Sequence, residues 1–265
     1  KINNLNIEYI FQEDIRKELL EKSLYREGPI LEGDERFTVN LTEKEKEKFP
    51  NINYAKVINK SFLERNHSNL STSLEGLSNL NRLYLYNHKY KEEKKIVDKF
   101  SDIFYLFTNK FFLKENVEIL NTYEALSYAL DTKHGLSMDD RRFYYDSFNK
   151  FYLPIYYDGK SKILENTQYL ELNDKIKTNT FSNEAVRGAQ SAIYLIENLN
   201  LGNFLKKLEN SGMEISYQEL EIIIKKILSR LHVLNKFNPV EISITDNKEF
   251  FPKVERKKET VKFIF

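Results

Sequence analysis

The sequence predicts an α+β fold, and three observations carry that prediction. Apolar residues recur at helical spacing through long stretches, above all 114–130, 183–199 and 216–234. Within residues 141–158 two aromatic runs flank a turn near Ser147-Phe148-Asn149, the pattern of a short β-hairpin. Further β-prone pieces lie near the N-terminus, and no internal repeat or linker divides the chain, so residues 1–265 read as one domain.

Taken in order, Ile7 to Phe11 is a candidate strand. Glu13 to Leu24 then reads as a helix, with Ile15, Leu19, Leu20 and Leu24 on one face and acidic residues in the first turn. Arg26-Glu27-Gly28-Pro29 ends it, and 30–40 has room for one or two short strands. From Thr42 to Asn87 no clear period emerges, and the run of alternating Glu and Lys before Phe49 reads as a solvated face or loop. Lys91 to Phe112 carries Ile96, Phe100, Ile103, Phe104, Phe107 and Phe111 at spacings of three and four, an amphipathic helix whose aromatics are core rather than a heme or lipid box. Lys114 to Leu130 continues as a helix with Val117, Leu120, Tyr123, Leu126 and Leu130 inward.

After the hairpin a polar connection runs to about Thr180, with a short candidate strand at 169–172. Helices are expected over Asn183–Leu199, Asn203–Asn210 and Ser216–Leu234. The last opens on the capping box Ser216-Tyr217-Gln218-Glu219 and carries the stripe Leu220, Ile223, Ile224, Ile227, Leu231 and Leu234. Residues 240–265 mix β-prone runs with a charged block.

With 41% hydrophobic and 14% aromatic residues the chain has material for a core. Lys and Arg number 41 against 40 Asp and Glu, so no global field recruits nucleic acid or an anionic membrane, and partners follow from local sites. The absence of cysteine excludes disulfides, thiolate metal ligands and cysteine nucleophiles while leaving the compartment open. No apolar run approaches the roughly 20 residues of a membrane helix. The start at Lys1 without methionine or a signal-like block fits a fragment or a processed chain.

Residues 131–159 are the densest in reactive groups. One loop offers Asp131, His134, Asp139 and Asp140, the other ends in Asp158-Gly159, and the hairpin between them brings both loops to the same end. Carboxylates so arranged suit a hard cation such as Mg²⁺, with Asp140 and Asp158 the natural pair. A carboxylate or histidine just upstream can orient an attacking hydroxyl or take its proton. Arg141 and Arg142 can bind phosphate or hold the loop through acidic neighbours. A plainer account fits the same residues: a surface ion-pair cluster, a turn at Asp158-Gly159, and His134 as a helix C-cap.

The stretch from Leu130 to Gly159 resembles the CotH kinase family, spore-coat-type protein kinases with an atypical kinase fold. His134-Gly135-Leu136, Arg141-Arg142-Phe143-Tyr144-Tyr145 and Pro154-Ile155-Tyr156-Tyr157-Asp158 carry it, and Phe11-Gln12-Glu13 with Arg26-Glu27-Gly28-Pro29-Ile30 looks like the family's segment after its first strands. The resemblance implies a mostly helical C-terminal lobe with a partial N-terminal lobe. It implies transfer of the γ-phosphate of ATP to a protein hydroxyl, with Mg²⁺ or Mn²⁺ held by Asp158, in the role of the kinase DFG aspartate, and by Asp140, where an asparagine commonly sits. The catalytic position falls within Asp131 to His134, and Glu13 lies near the nucleotide-binding hinge. The family's nucleotide-binding lysine is expected in strands before Lys1. The competing expectations are a non-catalytic pseudokinase or scaffold of a cell-surface, envelope or coat assembly, and a metal-dependent phosphoesterase.

Overall fold

The computed structural model describes residues 17–33, 54–94, 112–137, 140–161, 163 and 181–239, without the side chains of 87–94. It is a mixed helix and sheet structure, as the α+β prediction requires. The helices are α1 (Lys17–Lys22), α2 (Lys60–Leu63), α3 (His67–Lys94), α4 (Lys114–Ala129), α5 (Asn183–Glu197), α6 (Leu201–Asn210) and α7 (Tyr217–Leu234). Strands β1 (Ile30–Gly33), β2 (Ala55–Val57), β3 (Arg142–Asp146) and β4 (Phe151–Ile155) form one antiparallel sheet in the order β2-β1-β3-β4.

Alternation along β1 and β3 sends successive side chains to opposite faces, and both faces are covered. Leu31, Phe143, Tyr145 and Tyr152 pack against Leu80, Leu83 and Tyr84 of α3 and Val117 and Leu120 of α4. On the opposite face Ile30 and Tyr144 meet Leu20 of α1, with Leu153, Ile155 and Tyr157 at the margin. Among the described strands β4 lies at the end of the sheet, a position that accommodates Pro154 in its ladder. Its exposed backbone is met by a side chain: the Asn116 amide on α4 donates to the Tyr152 carbonyl and accepts from the Tyr152 N–H, both at 2.8 Å. Asn81 serves Ala55 of β2 in the same way, at 2.6 and 3.3 Å, so helix amides pair with strand backbone at both ends of the described sheet.

The helical half is built by α4, α5 and α7. Ala185, Ala189 and Ala192 face Ala125 and Ala129 with no bulk between the helices, and the α7 stripe of Leu220, Ile224, Ile227, Leu231 and Leu234 closes the core. Close approach is set by Gly188, where a Cβ would overlap the Asn121 carbonyl. Caps follow the sequence. Ser182 accepts from Ala185 N–H at 3.1 Å, and Ser216 with Glu219 forms the expected capping box. α4 spans both halves, with Val117 and Leu120 under the sheet and Ala125 and Tyr128 in the helical core.

Three expectations change. The unread region 42–87 contains β2, α2 and most of α3, whose 28 residues run through the Asn/Ser-rich stretch. Asn66 caps this helix, accepting from Asn69 N–H at 2.8 Å, and burial of Leu80, Leu83 and Tyr84 against the sheet overrides the weak local propensity. Of the helix expected over Lys91–Phe112, residues 91–94 are described, and they continue α3 rather than opening a new helix. Leu24, placed on the core face of the first helix, is 94% exposed with φ 60°, because the helix ends at Lys22 and Tyr25 N–H turns back to the Leu20 carbonyl. The strands expected at 7–11 and 169–172, the aromatic stretch 95–111 and the segment 240–265 lie outside the described residues.

Packing at the helix crossing yields a direct check. Gly188→Ala should destabilise the protein by about 1–3 kcal/mol in urea unfolding, since the added methyl meets backbone that cannot swing away. Gly202→Ala in α6, where the nearest atom to a Cβ is Asn200 Oδ1 at 3.6 Å, should be neutral or stabilising by up to about 1 kcal/mol.

Candidate metal site

The site forms where α4 ends and the β3–β4 hairpin returns. Arg230 of α7, buried, donates to the Ala129 carbonyl at 2.8 Å and so places a cation on the last turn of α4. Asp131 then turns the chain with φ 56°, and Thr132 fastens the turn through its N–H and Oγ1, both donating to the Ser127 carbonyl, at 2.8 and 3.0 Å. A short 3-10 turn follows over Lys133–Leu136 and carries His134. Asp140 precedes β3, and its Oδ2 accepts from Ser137 Oγ at 2.7 Å.

Arg141 anchors this loop. Its side chain is 5% exposed, Nε donates to the Leu136 carbonyl at 2.6 Å, and the guanidinium pairs with Glu124 of α4 at 3.0 Å. Burial opposes its charge, but the carboxylates of Glu124 and Glu184 prevail and hold the guanidinium above its ordinary pKa. Arg142 pairs with Glu32 of β1 at 2.6 Å and lies over the Tyr157 ring, 3.2 Å from its centre. Of the two roles open to these arginines, the structure shows pairing with acidic residues, Glu124 and Glu32, that are distant in sequence.

The hairpin closes at its far end through Asp146, whose Oδ1 accepts from Phe148 N–H at 3.0 Å, and through Lys150 at φ 58°. Its near end delivers Asp158 and Lys160 with φ of 41° and 49°. Two glycines let the loops touch. A Cβ on Gly135 would lie 2.5 Å from the Tyr157 carbonyl, and one on Gly159 would lie 2.6 Å from the Tyr156 ring and 2.8 Å from Thr132 Cβ. Ser161 Oγ adds a bond to the Leu130 carbonyl at 2.9 Å.

The result is a convergence of His134, Asp140 and Asp158. One ligand atom from each lies within 4.8 Å of the others, and this is the group among the described residues suited to a metal ion. His134 Nε2 is 3.3 Å from Asp158 Oδ2 and 3.6 Å from Asp140 Oδ2. Lys160 Nζ lies 2.8 Å from the same Nε2 and 3.5 Å from Asp158 Oδ2. An ammonium only donates, so where it bonds the imidazole it meets the ring-nitrogen lone pair, the same lone pair a metal ion would use. One nitrogen and two carboxylate oxygens form a mixed donor set, which suits Mn²⁺ better than the all-oxygen preference of Mg²⁺.

Asp140 and Asp158, expected as the metal pair, are thus brought together, and His134 joins them. Asp131 shares the loop but is not among the converging ligand groups. Glu13 and Asp139 lie outside the described residues. Lys160 had no role in the sequence reading. Its position directly after Asp158-Gly159 was the available signal, since a left-handed turn there returns the next side chain to the carboxylate. No helix of the described residues is long and apolar enough to cross a membrane. No family model, curated protein or solved structure matches this chain.

Breaking the anchor should be costly. Glu124→Gln leaves the Arg141 charge buried with its closest counter-charge gone and should destabilise the protein by about 3–5 kcal/mol in urea unfolding. Glu221→Gln, which breaks an exposed pair with Lys225 on α7, should change stability by less than about 0.5 kcal/mol.

Proposed function

We propose that this protein is a metal-dependent phosphotransferase of the CotH kinase type, moving the γ-phosphate of ATP to a protein hydroxyl. The observation that carries the reading is the convergence of His134, Asp140 and Asp158 from two loops at one end of a hairpin. Asp158 and Asp140 would hold Mg²⁺ or Mn²⁺, with His134 completing the set, and the nitrogen favours Mn²⁺. When bound, the cation neutralises charge on the transferring phosphate oxygens.

The chain's own groups divide the remaining work. Ser137 Oγ donates to Asp140 Oδ2, the oxygen that also lies 3.6 Å from His134 Nε2, and so holds the carboxylate in place at the site. Gly135 and Gly159 keep the two loops in contact, so that the ligands are held before substrate arrives. The incoming hydroxyl oxygen forms a bond to the γ-phosphorus as the bond from phosphorus to the β–γ bridging oxygen breaks. The hydroxyl proton passes to a carboxylate, and Asp131 is assigned that role because His134 is committed to the metal set and Asp131 opens the same loop.

A second reading, a non-catalytic pseudokinase or scaffold, draws on one observation. Both arginines beside the site are tied to Glu124 and Glu32 rather than directed at a phosphate. Calorimetric titration with ATP and Mn²⁺ separates the two, since metal-dependent micromolar binding belongs to the kinase and its absence to the scaffold.

The kinase reading is tested with γ-labelled ATP, Mn²⁺ and a general protein acceptor such as casein. Label transfer by the intact protein should fall by about a hundredfold or more in Asp158→Ala, as expected when a charge-stabilising group is lost. Equal transfer by both proteins would remove Asp158 from the site.

A further inference from the structure

The Lys160 ammonium stands on two of the atoms assigned to the metal. It is 2.8 Å from His134 Nε2 and 3.5 Å from Asp158 Oδ2, and its side chain is otherwise 61% exposed. Among the described residues, the contacts that draw it inward are the lone pair of His134 and the carboxylate of Asp158. Its backbone contributes, because φ of 41° at Asp158 and 49° at Lys160 curl the chain so that residue 160 returns over residue 158. We propose that Lys160 is a tethered cation filling the metal position when no ion is bound, so that a divalent ion must displace it to enter.

The inference rests on the metal-site reading and gives it a regulatory part. An imidazole nitrogen and a carboxylate that already hold an ammonium cannot accept a second cation until the first withdraws, and two cations at ligand distance repel. Lys160 therefore weakens metal affinity while keeping the two loops together in the empty state. Its long flexible stem lets it leave without unfolding the loop, and the freed ammonium then lies beside the metal, available to an anionic ligand such as a phosphate. Among the described residues, Glu32 and Glu124 are engaged with Arg142 and Arg141, while Asp158 lies within ion-pair distance of Lys160, so Lys160 has a counter-charge at the site.

Calorimetric titration with MnCl₂ alone tests this on the intact chain, Lys160→Met, Lys160→Arg and Asp158→Asn. Lys160→Met keeps the stem and removes the charge, so Mn²⁺ should bind about tenfold more tightly, the effect of deleting one unit charge beside another at a half-exposed site. Lys160→Arg keeps the charge and should stay near the parent affinity, while Asp158→Asn should lose binding. Equal or weaker Mn²⁺ binding by Lys160→Met, with the parent binding and Asp158→Asn not, would overturn the role of Lys160 and leave the metal site standing. Absence of binding in both the parent and Lys160→Met would remove the metal site and the inference with it.

Discussion

The buried pair between Arg141 and Glu124 is the joint on which the rest of this structure depends. Glu124 sits on α4, the helix that packs under the sheet with one half and into the helical core with the other, and Arg141 is the residue immediately before β3. The same guanidinium holds the Leu136 carbonyl, so one side chain fastens helix, loop and strand together. Two charges taken out of water gain little net stability over an apolar pair of the same shape. What they supply here is position. The Arg141 side chain ties Leu136 to the start of β3, and His134 and Asp140 on either side of that tie face the returning hairpin.

Close backbone contact does the remaining assembly. Gly135 lies against Tyr157 and Gly159 against Tyr156 and Thr132, at separations no larger residue would allow. Asp131, Asp158 and Lys160 all take left-handed backbone angles within the same two loops. Such conformations cost on the order of 1 kcal/mol or more for residues other than glycine, and they persist only where surrounding structure fixes them. Among the described residues they gather where a histidine and two aspartates converge, in contrast to the exposed Glu221–Lys225 pair on α7, which rests on no such scaffold.

Much of this was legible in the sequence, for identifiable reasons. The 3.6-residue stripe of Leu220, Ile224, Ile227, Leu231 and Leu234 and the Ser216–Glu219 capping box are local signals, and α7 follows them. The aromatic runs around Ser147 likewise encode the hairpin and hence the meeting of Asp140 and Asp158. α3 was not legible, because its Asn/Ser-rich sequence has weak helix propensity and its helix is secured by contacts with strands far away in the chain. Nor were the partners of Arg141 and Arg142, Glu124 and Glu32, which depend on tertiary distance alone. Lys160 shows the same limit at the site itself, since only the left-handed turn at Asp158 brings it back onto its neighbour's ligand atoms.

A metal bound by two carboxylates and one imidazole nitrogen has a spectroscopic signature that the protein's other carboxylates cannot imitate. Pulsed electron paramagnetic resonance of the Mn²⁺-loaded protein measures it directly. The site described here predicts ¹⁴N coupling from one directly bound imidazole, present in the intact chain and absent in His134→Ala. Mn²⁺ bound without nitrogen coupling, or coupling that survives in His134→Ala, would contradict the assignment of His134, Asp140 and Asp158 as one metal centre.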